Sequence, residues 1–112
     1  MEDIEAVEAL SALGQESRLR VFRLLMQAGP QGLPAGDIAR RLALPPSTLS
    51  THLAQLEAAG LLAAQRDGRT IRYGARLDGI GALIAYLTRD CCNGNPRLCG
   101  ALVDSLELRA PA

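Results

Sequence analysis

Every cysteine of the 112-residue chain falls in one short segment, Cys91-Cys92-Asn-Gly-Asn-Pro-Arg-Leu-Cys99. Thiolates are soft ligands that favour soft, thiophilic centres. Three thiolates together can close around one such centre, and three sulfurs are present. Zinc in a closed structural site usually takes four ligands, and the single histidine, His52, has no second histidine or carboxylate at ligand spacing on its own helix. The eight residues from Cys91 to Cys99 would span roughly 27 Å if extended, but Asn93-Gly94-Asn95-Pro96 is turn composition able to fold Cys99 back towards the vicinal pair.

Other chemistries fit the same residues. Cys91 or Cys92 pairing with Cys99 makes a redox switch, and three buried structural cysteines make no site at all. Cys91 to Arg97 also matches the Cys-x5-Arg loop of thiol phosphatases and small arsenate reductases. That loop needs a preceding strand and a following helix whose amides hold an oxyanion. Here a helix precedes it, Leu98 stands where Ser or Thr is usual, and no parallel sheet is in prospect, so the chain is not expected to be an enzyme.

The rest of the chain must position this segment. At 112 residues it is expected to be a single domain over 1–112, burying a modest share of its surface alone, so that dimerisation would help. Hydrophobic residues make up 48% of the chain and aromatics 3%, which leaves Leu, Ala, Ile and Val to build a core of small helices. Twelve basic and twelve acidic residues balance, which argues against a general polyanion-binding tail, but they are unevenly placed. Residues 1–16 carry five acids and no base, whereas 61–76 carry Arg66, Arg69, Arg72 and Arg76 against Asp67 alone. The acidic start is not a signal peptide, and no apolar run approaches the roughly 20 residues of a membrane span. A cytoplasmic protein with reduced thiols is expected.

Ile4, Val7, Leu10 and Leu13 fall at helical spacing and predict a first helix stopped by Gly14. A second helix is predicted over 17–28, with Leu19, Phe22, Leu25 and Met26 inward. A short third helix is predicted around 36–42, with Ile38, Ala39 and Leu42 on one face. A fourth starts at Pro46, a favourable first position, and ends at Gly60, a left-handed cap. Two extended runs separated by Asp67-Gly68 predict a hairpin. Ile80, Leu83, Ile84 and Leu87 then predict a fifth helix, followed by the cysteine segment, a last amphipathic turn or two, and a frayed end over 109–112.

This order predicts a winged helix-turn-helix, a mainly α (α+β) fold in which the second helix of the pair enters the DNA major groove. On the fourth helix, Leu53 and Leu56 flank Leu49 on the buried side. Ser47, Thr51 and Gln55 lie opposite, flanked by Thr48 and Ser50. Small hydroxyls and an amide donate and accept at base edges or phosphates without steric conflict. Arg66, Arg69 and Arg72 at the hairpin are placed to reach phosphates or the minor groove. A solvated helix face and solubilising arginines are the alternatives. His52 lies at the edge of the apolar stripe, as suited to half-burial as to DNA contact.

The run Ser-x-His-Leu-x-x-Leu-x-x-Ala-Gly-Leu over 50–61 and the wing Arg-x-Gly-Arg-x-x-x-Tyr over 66–73 resemble the ArsR/SmtB family of metal- and metalloid-responsive repressors. The resemblance covers nearly the whole chain. It implies a homodimer through the first and fifth helices that leaves its operator when an inducer binds, and the long apolar stripe of the fifth helix agrees. Pro45 departs from the family, which often has a Ser cap there. Many arsenic-responsive members carry Cys-x-Cys in the third helix, but "GLPAGDIARRL" has no thiol. Zinc and nickel members use Asp, His and Glu on the fifth helix, and "LDGIGALIAYLTRD" has no histidine. Cys91, Cys92 and Cys99 resemble the placement in a subgroup of arsenite-responsive members. An As(III) or Sb(III) inducer site within 88–100, in a repressor of an arsenic-resistance operon, is what the resemblance implies.

Overall fold

The computed structural model describes residues 1–89 and Gly100, so the cysteine segment and the residues after Gly100 lie outside it. Five helices and three strands follow in the order α1 (Asp3–Leu13), α2 (Glu16–Ala28), β1 (Leu33–Pro34), α3 (Ala35–Leu42), α4 (Pro46–Ala58), β2 (Leu62–Asp67), β3 (Thr70–Ala75) and α5 (Leu77–Leu87). The architecture is the expected winged helix-turn-helix: α3 and α4 form the pair, and β2 and β3 form the wing.

Helix α1 starts in a capping box, in which the Glu2 amide donates to Glu5 Oε1 at 2.8 Å and Glu2 caps the first turn in return. Its core-facing side is built from alanine. Ala6, Ala9 and Ala12 are buried, whereas Ile4 is 69% exposed, Val7 59% and Leu10 44%. Small alanines let the helix approach the core closely, and the larger apolar residues then point away from the protomer. Helix α2 departs from its expected face. Val21, Phe22 and Leu25 are buried, but Leu19 and Met26, expected inward, are exposed.

The core is a single cluster in which Val21, Leu25, Ile38, Leu49, Leu56, Leu61 and Leu62 lose essentially all solvent contact. Between α3 and α4, Ala43 takes a left-handed conformation (φ 54°), and the Leu44 amide donates back to the Ala39 carbonyl at 3.0 Å. This closes α3 without a glycine and aims the chain into Pro45-Pro46. Helix α4 starts with Pro46 in its first turn, and Pro45 offers it no side-chain cap.

The hairpin's register pairs Asp67 with Thr70, so its two-residue tip is Gly68-Arg69 rather than Asp67-Gly68. Gly68 alone there has positive φ (65°), as a turn with glycine first requires. The third strand, β1, was not expected. Leu33 and Pro34 pair with Tyr73 and Arg72 across the free edge of β3, giving the order β1-β3-β2. Gly32 makes this possible, since a Cβ there would lie 2.1 Å from the Tyr73 carbonyl oxygen.

Of the expected α5 stripe, Leu83 is buried and Ile80 partly so, but Ile84 (40%) and Leu87 (56%) remain open. None of the described helices is long and apolar enough to cross a membrane.

Candidate nucleic-acid interface

The outward face of α4 follows from what its inner face must bury. Leu49, Leu53 and Leu56 are at most 2% exposed, and this fixes the helix about its axis. Ser47, Thr48, Ser50, Thr51 and Gln55 are accordingly all exposed. Thr51 Oγ1 donates to the Ser47 carbonyl at 3.3 Å, which leaves its oxygen free to accept from outside the helix. The result is an uncharged surface of hydroxyls and one amide, able to donate and accept at base edges in a groove wide enough for a helix.

His52 does not share that surface. It is 9% exposed, and its Nδ1 has no hydrogen-bond partner among the described residues. Burial, with Arg18 nearby, pushes its pKa below the ordinary histidine value, so the neutral form is favoured. The side chain at the edge of the stripe is thus turned to the buried side of α4, which also carries Leu49, Leu53 and Leu56. Of the two readings weighed for it, this placement supports the structural one.

The three wing arginines separate into two kinds. Arg66 and Arg69 are exposed, with Arg69 at the tip. Arg72 is instead tied down: its Nε donates to the Gln31 carbonyl and its Nη2 to the Gly32 carbonyl, both at 3.0 Å. Its guanidinium braces the wing against the α2–β1 loop rather than reaching outward. Arg76 lies below the wing and pairs with Asp78 at 2.6 Å. That bond holds the Asp78 carboxyl below the usual range, and the positive charge of Arg76 is locally offset.

Arg41, exposed at the end of α3, was not among the residues picked out by sequence. In such a pair the first helix generally crosses the DNA backbone, so a basic residue at its end is a candidate for phosphate contact. The Arg40-Arg41 doublet was a visible signal; both arginines are exposed, Arg40 pairing with Asp37 on the same helix and Arg41 making no ion pair among the described residues.

Cys91, Cys92 and Cys99 lie outside the described residues. Helix α5 leads towards them, with Thr88 Oγ1 donating to the Ile84 carbonyl at 2.7 Å and the Arg89 guanidinium 5.0 Å from the Tyr86 ring centre. Among the described residues no group of three or more His, Cys, Asp or Glu side chains is arranged to hold a metal ion.

Comparison with known proteins places this geometry. A family model described as a helix-turn-helix domain matches residues 13–64. The chain is 34% identical over 88 residues to the HTH-type transcriptional regulator YgaV of Escherichia coli, covering 79% of this chain and 87% of that one. It is 33% identical over 91 residues to the transcriptional activator HlyU of Vibrio cholerae, covering 81% and 82%. It is also 34% identical over 79 residues to a putative arsenical resistance operon repressor, ArsR, of Halobacterium salinarum, covering 70% and 60%. Among solved structures, an ArsR-like transcriptional regulator from Rhodococcus superposes with a TM-score of 0.72 at 28% identity, covering 90% and 92%. Reduced HlyU from Vibrio cholerae does so with a TM-score of 0.62 at 32% identity, covering 80% and 90%.

Proposed function

Because the chain belongs to the ArsR/SmtB family of winged helix-turn-helix transcriptional regulators, we propose that it is a cytoplasmic, homodimeric repressor that releases its operator on binding arsenite. The observation that carries the DNA half of this reading is the α4 surface, with Ser47, Thr48, Ser50, Thr51 and Gln55 outward and every large apolar side chain inward. Arg66 and Arg69 of the wing, joined by Arg41, supply contacts to phosphate. Arg72 and His52 contribute by holding the wing and α4 in place.

The homodimer is supported by the open apolar residues Ile4, Val7 and Leu10 on α1 and Ile84 and Leu87 on α5. One protomer leaves uncovered what a second copy would bury, and two-fold symmetry then presents two α4 helices to two half-sites.

The arsenite half rests on the donor set. Three thiols in the segment that follows α5 in sequence match a three-coordinate soft centre, As(III) or Sb(III), and would bind it as thiolates, releasing protons. The Halobacterium relative, described as a putative arsenical resistance operon repressor, adds support. HlyU favours a second reading, thiol oxidation at the same cysteines, because it is described in a reduced form. A zinc response is the weaker form of the metal reading, for want of a fourth ligand. The regulators among its relatives speak against the Cys-x5-Arg enzyme.

The test is a set of single Cys→Ser variants of Cys91, Cys92 and Cys99. Each should bind operator DNA as the wild type does and lose calorimetric arsenite affinity and operator release. Full arsenite response in all three would contradict a three-thiolate site.

A further inference from the structure

The end of α4 and the start of α5 meet through backbone alone. Helix α4 closes with the Gly60 amide donating to the Glu57 carbonyl and the Leu61 amide to the Leu56 carbonyl, both at 3.0 Å, around a left-handed Gly60 (φ 80°). This closure turns the Gly60 carbonyl towards α5. A Cβ built on Gly79 would stand 2.0 Å from that oxygen, so only glycine fits. Beside it, the Arg76 amide, at the cap of α5, donates to the Leu61 carbonyl at 2.8 Å. Leu61 itself is fully buried. Gly81, two residues further along α5, has open space where its Cβ would be.

We infer that the Gly60–Gly79 contact, with the Arg76–Leu61 hydrogen bond, is the joint through which α5 sets the position of the DNA-reading helix, Gly79 acting as its positioning residue. Side chains between two helices absorb a shift by changing rotamer, whereas backbone against backbone has no such slack. Helix α5, about 16 Å long at 1.5 Å per residue, carries this joint at its first turn and leads towards the cysteine segment at its last. A pull at the far end therefore arrives at the carboxyl end of α4 as a displacement. The inference rests on the proposed inducer site for its direction of signalling, but the joint itself is tested without inducer.

Full-length Gly79→Ala and Gly81→Ala variants would be compared by fluorescence anisotropy on operator DNA, with and without arsenite, after circular dichroism and sedimentation. Both place alanine in the same helix, and only the first collides with Gly60. Gly79→Ala is expected to remain a folded dimer, to bind operator on the order of tenfold more weakly without arsenite, to retain calorimetric arsenite binding, and to gain little further release from it. Gly81→Ala, whose methyl group meets nothing within the protomer, should remain a dimer by sedimentation and, as a dimer, match the wild type in operator affinity. A folded Gly79→Ala with wild-type operator affinity would overturn the joint. If Gly79→Ala does not fold, amide hydrogen exchange at Gly60, Leu61 and Arg76 of the wild type decides: altered protection on operator binding upholds the joint, and unchanged protection overturns it. A wild type that ignores arsenite defeats the inducer reading alone, and the operator affinities of the two variants still judge the joint.

Discussion

Arg72 and Gly32 are forty residues apart in sequence and joined in the fold, the Arg72 Nη2 donating to the Gly32 carbonyl at 3.0 Å. The bond fixes the wing to the loop that opens β1, so the angle of the hairpin depends on it. Arg72→Ala should therefore lower thermal stability, by about 1 kcal/mol for a partly exposed charged hydrogen bond, and weaken operator binding as a secondary effect. Thermal melts and operator titrations check this. An unchanged melt with weaker, less salt-dependent DNA binding would make Arg72 a phosphate contact instead.

Arg69 offers the contrast. It stands exposed at the hairpin tip, away from the core. Arg69→Ala should leave the melting temperature unchanged, weaken binding to all DNA sequences alike, and reduce the slope of log affinity against log salt by about 1. A titration series in salt measures it, and an unchanged slope would remove Arg69 from the interface.

The protein has one histidine, and burial lowers its pKa, Arg18 adding to the effect. In the unfolded chain His52 takes up its proton near the ordinary value of about 6.5, while the folded protein resists protonation until lower pH. Between those points the unfolded state binds more protons, so stability falls as pH falls through and below about 6.5 and is flat above it. Denaturant unfolding at pH 7.5 and 5.5 should show this loss, and His52→Phe should remove most of it. An equal pH dependence in the variant would mean that other groups are responsible.

Much of the fold was legible in the sequence. The leucines of α4 repeat at helical spacing and are the core, so its polar face could be read by elimination, and Gly60 marked the helix end. The stripe of Ile4, Val7 and Leu10 was legible as helical, but its outward direction in the protomer was not, because periodicity shows which side chains favour burial and not which chain buries them. The two-residue strand β1 has no period to detect. The role of Arg72 depends on a loop far away in sequence, and His52 sits where a small rotation of α4 decides between groove and core.

The α1 surface yields a prediction of its own. Val7 is 59% exposed in the protomer, so Val7→Glu should cost the protomer fold little. If α1 lies in the dimer interface, the buried charge should shift sedimentation towards monomer and weaken operator binding, since one protomer grips one half-site. A variant that stays dimeric at the same concentration would take α1 out of the interface.

The central claim is most directly tested by fluorescence anisotropy of the reduced protein on DNA from upstream of its own gene, titrated with arsenite, and in parallel with zinc and a thiol oxidant. Tight binding, weakened by arsenite through a coupling of about 1–3 kcal/mol and by neither of the others, is the predicted result. Release by oxidant or zinc in place of arsenite would contradict the inducer, and no binding to that DNA would contradict the reading of α4 and the wing.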